Sequence, residues 1–264
     1  MADGVLLDID GVLTVSWEPL SGAVETIRWL QAEGIGFRLV TNTSSKSRDQ
    51  IAALLARAGM VVGADRILTA VTSAARYLGE HFAGVGCLVV NEGDIGEDLD
   101  GVAVVDVVDA PSAGVVLLGG AGPSTGYQEL DAAFKLAADG VPVVALHRNT
   151  RYQTADGPAL DMGAFIVGIE AAAHADVSVV GKPAAAFFHA AVADLGTTAE
   201  AMVVVGDDID ADVLGAQAVG MTGVLVRTGK FRTSDLEGAE PGPDHVIDGI
   251  GDLPGLWPQL GGDD

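Results

Sequence analysis

Along most of this chain, short apolar runs alternate with segments of helical period. Val5–Ile9 reads as a buried strand holding a single carboxylate. Gly22–Glu33 repeats apolar residues at Ala23, Val24, Ile27 and Leu30 before stopping at Gly34. Phe37–Val40 is a second strand, Arg48–Ala58 a helix ended by Gly59, and a helix at Ser73–His81 leads into a strand at Cys87–Val90. The middle carries strands at Val102–Asp106, Gly114–Leu118 and Val141–His147, with helices over Tyr127–Ala138 and Ala164–Ala173. From Val177 the alternation resumes. Strands Val177–Val180, Met202–Val205 and Thr222–Arg227 interleave with helices Phe187–Leu195 and Asp210–Val219, and His245–Ile247 and Asp252–Trp257 close the series. Strands that are apolar throughout belong to sheets covered on both faces, and strands separated by helices belong to parallel sheets. The pattern predicts an α/β fold built on a mostly parallel sheet.

Composition narrows the partners. With 264 residues, 49% of them apolar, and a positive mean hydropathy, the chain has material for a substantial core. Its 37 acidic residues against 14 Lys and Arg leave a formal charge of −23, which repels nucleic-acid backbones and anionic lipid alike. A halophilic cytoplasm and an acidic proteome without halophily both account for that balance. No apolar run reaches the ~18 residues of a membrane span; the longest are broken by Asp106, Asp109 and Pro111. Cys87 stands alone, which excludes an intrachain disulfide and suits a reducing compartment, and Met-Ala-Asp-Gly lacks the basic start of a secretion signal. The expectation is a cytoplasmic protein with neither membrane nor nucleic-acid partners.

Four short segments carry candidate chemistry, each directly after a strand. Asp8-Ile9-Asp10-Gly11 puts two carboxylates at a strand end, where one can attack while the other handles protons. An Asx turn would give the same spelling. Thr41-Asn42 offers a hydroxyl and backbone N–H groups to an anion, or simply turns the chain. Gly181-Lys182-Pro183 supplies an ammonium suited to a phosphoryl group in a chain that has four lysines in all, although a solvated turn lysine would be spelled the same way. Asp207-Asp208-Ile209-Asp210-Ala211-Asp212 is rich enough in carboxylates for a hard cation. It is not an EF-hand, because Val213 and Val219 stand where Gly and Glu are needed, and an acidic helix start is the plainer reading of most of it.

In this order, the four segments resemble the haloacid dehalogenase superfamily of phosphatases. The roughly 140 residues between Thr41 and Lys182 resemble the subclass with a large α/β cap inserted there. Thr41–Arg48, Gly181-Lys182-Pro183 with Phe187-Phe188, Gly206–Ile209, Gly215-Ala216-Gln217 and Val226–Arg232 narrow the likeness to the phospholysine phosphohistidine inorganic pyrophosphate phosphatase group. The resemblance implies a doubly wound parallel core from residues 1–82 and 177–264, an inserted α/β cap over 83–176, a Mg²⁺ cofactor and a small phosphorylated substrate. Dimerisation through the cap is a further implication. Asp8 then matches the nucleophile and Asp10 the general acid and base. Thr41 and Asn42 match the phosphate-binding pair, and Lys182 the charge-balancing lysine that also meets the substrate. Asp8, the main-chain carbonyl of Asp10, and Asp207 match the magnesium ligands, with Asp212 as a further acid near the metal and Asp208 competing for that place. In the wider capped subclass, the stretch holding His147, Arg148, Arg151 and Tyr152 faces the substrate; an exposed hairpin is the alternative. Lys230 either flanks the site opening or lies in a surface turn.

Two rival readings belong to other classes. Gly120-Ala121-Gly122-Pro123-Ser124-Thr125-Gly126 has the look of a dinucleotide loop, with Arg148 as an NADP phosphate partner, but one gap between its glycines is a residue too long. Thr125-Gly126-Tyr127-Gln128 also spells a helix capping box. The other rival is a non-catalytic binding module on the same fold, against which the intact set Asp8, Asp10, Lys182 and Asp207 argues.

Overall fold

The computed structural model describes residues 2–154, 157–236 and 241–260. The main elements run β1 (Gly4–Asp8), α1 (Ala23–Glu33), β2 (Gly36–Thr41), α2 (Arg48–Arg57), β3 (Ile67–Thr69), α3 (Ala70–His81) and β4 (Gly86–Val90). They continue as β5 (Ala103–Val105), β6 (Val115–Leu118), α4 (Tyr127–Ala138), β7 (Val143–Ala145), α5 (Met162–Ala173) and β8 (Val177–Val179). The last are α6 (Ala185–Leu195), β9 (Met202–Gly206), β10 (Thr222–Val226) and β11 (His245–Ile247). Among the described residues, no helix is long and apolar enough to cross a membrane.

Two compact units result. The first holds residues 1–41, 48–68 and 182–264 around a six-stranded sheet of order β11-β10-β9-β1-β2-β3. β1 pairs in parallel with both β2 and β9, and β9–β10 and β10–β11 are parallel too. Successive residues of a strand face opposite sides, so Val5 and Leu7 join Ile27 and Leu30 of α1 and Ile51 and Leu55 of α2, while Leu6 meets Phe187, Phe188 and Ala191 of α6. Helices cover both faces, which is why these strands are apolar throughout.

The second unit holds residues 42–47 and 69–181 around a parallel sheet of order β8-β7-β6-β4-β5. Leu88, Val116 and Leu118 pack against Met162 and Ile166 of α5 and Ala133 of α4. On the opposite face, Cys87, Val115 and Leu117 pack against Ala70, Val71 and Leu78 of α3. This partition differs from the expected breaks at 82/83 and 176/177. α3 is part of the second core, and β8 pairs with β7 rather than with the first sheet. The alternation of strand and helix identifies both elements but does not encode which sheet they join.

Candidate active site

The first sheet reverses its winding between β1 and β9. From β1 the chain moves to β2 and β3 on one side, then returns to β9, β10 and β11 on the other. Loops that leave such a point diverge, opening a crevice at the carboxyl ends of the strands. Asp8 is the last residue of β1, and Asp207 follows β9 directly. Register places Asp8 opposite Val40, so Thr41 ends β2 beside it. All three side chains are buried by the sheet that carries them.

Lys182 and Asp212 complete the cluster. Lys182 Nζ lies 2.6 Å from Asp8 Oδ1 and 2.6 Å from Asp212 Oδ1, and all three groups are at least nine-tenths buried. Carboxylate oxygens of Asp8, Asp207 and Asp212 lie within 4.8 Å of one another. Gly206 permits that approach, because a Cβ there would stand 2.1 Å from Asp212 Cβ. Three carboxylates thus face one ammonium in a place that solvates none of them well.

The ionisation of these groups follows from burial first. Burial pushes the Asp8 carboxyl well above the usual range despite the pull of Lys182, with Asp212 and Asp207 adding repulsion. Asp207 is raised to about 6, again chiefly by burial, although the Lys230 N–H and the Lys230 and Lys182 charges act against it. Burial pulls the other way on Lys182, but Asp212 and Asp8 outweigh it and hold the ammonium above its ordinary value. Asp207 Oδ1 is buried and accepts no hydrogen bond from the described residues. Clustered hard oxygens with excess negative charge and an open acceptor fit a small divalent cation.

The structure separates the two acids that sequence left in competition. Asp208 accepts from Ala211 N–H at 3.0 Å, as a helix N-cap does, and its other oxygen meets Lys230 Nζ at 3.1 Å. The chain then makes a wide helical turn over Ile209–Leu214, which brings Asp212 back over the strand end to Lys182. Asp10 lies just beyond β1 with its side chain exposed, and its backbone bridges to Thr14. Sequence reasoning left Lys230 between the site opening and a surface turn and missed the contact that its segment makes, where Lys230 N–H donates to Asp207 Oδ2 at 2.7 Å. The motif was visible, but nothing in its spelling points to a carboxylate more than twenty residues away.

The residues expected to face a substrate from the second unit divide. Arg148 is engaged in a two-pronged ion pair with Glu170 of α5, at 2.8 and 2.5 Å. His147 is buried 3.9 Å from Asp161, whereas Arg151 and Tyr152 are exposed on a hairpin of Arg151–Thr154 with Gly157–Leu160. Asn42 is half-buried in this unit, its Oδ1 packed toward Gly181. The glycine-rich loop spends its N–H groups internally: Gly120 on Asn91 Oδ1, Ala121 on Asp161 Oδ1, Gly122 on Thr125 Oγ1 and Ser124 on Glu92 Oε2. Glu92 stands where an anion would, so the loop is filled by the chain's own carboxylates. Thr125 turns back to Gly122 rather than capping α4, whose N-cap Gly126 has no side-chain bond, which corrects the expected capping box.

The chain is similar to known proteins over most of its length. Residues 5–104 match the family model described as haloacid dehalogenase-like hydrolase, and residues 179–253 match one described as HAD-hydrolase-like. The chain is 37% identical over 253 residues to haloacid dehalogenase-like hydrolase domain-containing protein 2 of Pongo abelii, covering 93% of this chain and 95% of that protein. It is 34% identical to phospholysine phosphohistidine inorganic pyrophosphate phosphatase of Bos taurus, covering 94% and 91%. Among solved structures, p-nitrophenyl phosphatase from Archaeoglobus fulgidus superposes with a TM-score of 0.86 at 29% identity, over 96% of this chain and 98% of that one.

Proposed function

Because the chain belongs to the haloacid dehalogenase-like hydrolase family, we propose that it is a Mg²⁺-dependent phosphatase that hydrolyses a small phosphorylated metabolite through an aspartyl phosphate on Asp8. The observation that carries this reading is a buried carboxylate at the switch point, held 2.6 Å from a buried ammonium, with two more carboxylates beside it. Similar proteins are named for inorganic pyrophosphate, phospholysine and phosphohistidine, and for p-nitrophenyl phosphate. The substrate class is therefore a phosphomonoester, a pyrophosphate or an N–P phosphoramidate.

Asp8, Asp207, Asp212 and the main-chain carbonyl of Asp10 would hold the cation. When bound, Mg²⁺ supplies positive charge that lets an anionic carboxylate approach an anionic phosphoryl group. Asp8 attacks phosphorus in line while its Oδ1 is held by Lys182. The bond from phosphorus to the leaving atom breaks, and Asp10 gives that atom a proton. Asp10 then takes a proton from water, whose oxygen attacks phosphorus. The Asp8 oxygen–phosphorus bond breaks, releasing inorganic phosphate and restoring Asp8 as a carboxylate and Asp10 as an acid. Lys182, Thr41 and Asn42 are assigned to the equatorial phosphoryl oxygens, where charge spreads in the transition state.

Activity on p-nitrophenyl phosphate should vanish with EDTA and return with Mg²⁺, and Ca²⁺ should restore it poorly because its coordination is longer and looser. The cation must displace the proton that Asp207 holds below about pH 6. Mg²⁺ affinity, measured by calorimetry on the metal-free protein, should therefore weaken as pH falls from 7 to 5. Turnover that survives thorough chelation would sink the metal assignment.

Substrate choice is assigned to Arg151 and Tyr152, which are exposed, rather than to Arg148, which Glu170 occupies. Arg151→Ala and Tyr152→Ala should reorder a panel of substrates. Arg148→Met should leave the ranking alone and lower the melting temperature slightly, since a partly exposed ion pair is worth on the order of 1 kcal/mol. A reordering by Arg148→Met as large as that by Tyr152→Ala would reverse this division.

A further inference from the structure

The Asp207 carboxylate is held in a way that its place after β9 does not explain. Its Oδ2 accepts the Lys230 N–H at 2.7 Å, while its Oδ1 accepts nothing from the described residues. Two glycines from distant parts of the chain enclose the bonded oxygen. A Cβ on Gly11 would stand 1.9 Å from Oδ2, and a Cβ on Gly229 would stand 2.0 Å from the same atom. Both glycines have positive φ, +88° and +64°, so a side chain at either is excluded twice, by its backbone and by the carboxylate. The two loops are tied together where they meet, because Thr228 Oγ1 donates to the Gly11 carbonyl.

We propose that Thr228–Lys230 is a positioning clamp that locks one oxygen of Asp207 and leaves the other as a single ligand for the cation, thereby favouring Mg²⁺ over Ca²⁺. The inference rests on the metal reading above. A carboxylate free to rotate can chelate through both oxygens, which suits the larger, higher-coordinate Ca²⁺. One held through Oδ2 presents a single oxygen, which suits the strict octahedron of Mg²⁺. Partners that orient a metal ligand typically alter affinity by ~10–100-fold when removed. Thr228 and Gly229 touch neither substrate nor reacting atoms on this account; they act through Asp207.

The test is calorimetric titration of the metal-free protein with Mg²⁺ and, separately, Ca²⁺, without substrate. Thr228→Val keeps the side-chain shape but removes the bond to Gly11. Gly229→Ala forces the carboxylate off its seat, and thermal melts verify that each variant is folded. Thr228→Val should weaken Mg²⁺ by roughly tenfold or more while Ca²⁺ weakens less, so that the ratio of the two affinities falls. Gly229→Ala, if folded, should move the ratio further the same way. Native Mg²⁺ binding with an unaltered ratio in Thr228→Val, including an equal loss for both cations, would overturn the clamp alone. Failure of the native chain to bind Mg²⁺ at all would overturn the metal reading, and the clamp with it.

Discussion

Asp8→Asn should stop turnover, with a loss on the order of 10⁶-fold, the scale seen when a nucleophile is removed from residues that act as a unit. The amide preserves the shape of the side chain but cannot form the acyl phosphate, so rapid quenching should trap no phosphorylated protein. The same change should not weaken the fold. Lys182 keeps Asp212 at 2.6 Å as its partner, and the buried cluster goes from three carboxylates against one ammonium to two. Burial holds the Asp8 carboxyl above its unfolded pKa, so the group costs stability at pH values above the unfolded pKa, and that cost fades as pH falls toward it. A neutral Asn removes the conflict, and the metal-free variant should melt no lower than the native chain. Residual turnover above about a thousandth of native, with chemistry rate-limiting, would strip Asp8 of the nucleophile's role.

Why these residues could be read from sequence, and others could not, has a physical answer. Asp8, Thr41 and Asp207 each end or follow an apolar strand, and in a parallel sheet the carboxyl edge is shared by all strands. Sequence order along one dimension then becomes proximity in three. Lys182 stood out because lysine is scarce here and this one follows a strand. The strand it follows, however, belongs to the second unit's sheet, a fact settled by pairing with Val143–Ala145 and not by periodicity. Asp208 and Asp212 could not be ranked, because the wide turn over Ile209–Leu214 decides which of them returns to the strand end. Contacts between distant loops left no trace at all. The Arg148–Glu170 pair, the Glu92 carboxylate in the glycine-rich loop and the Lys230 N–H on Asp207 depend on tertiary approach, and no spacing rule reaches that far.

Asp10→Asn should separate the two chemical steps. The exposed side chain lies two positions past Asp8, the proposed nucleophile, where it is assigned to meet both a leaving group and a water. The substitution keeps the main-chain carbonyl assigned to the cation, so Mg²⁺ affinity should survive far better than catalysis. General acid or base help is typically worth ~10²–10⁴-fold, and the benefit depends on how badly the leaving atom needs a proton. A nitrophenolate departs with little assistance, whereas a sugar alkoxide does not. The penalty on phosphoenzyme formation should therefore be small for p-nitrophenyl phosphate and large for an alkyl phosphate. Breakdown of the phosphoenzyme should slow equally for both, because the leaving group has gone and only water remains to be activated. With p-nitrophenyl phosphate the variant should consequently accumulate phosphoenzyme, visible as a burst of nitrophenolate followed by a slow steady state. With the alkyl ester the first step becomes limiting and no burst is expected. Single-turnover quench-flow on both esters measures each rate directly. Equal penalties on phosphoenzyme formation, with that step shown to be limited by chemistry, would rule out Asp10 as the general acid and leave it at most the base of the second step.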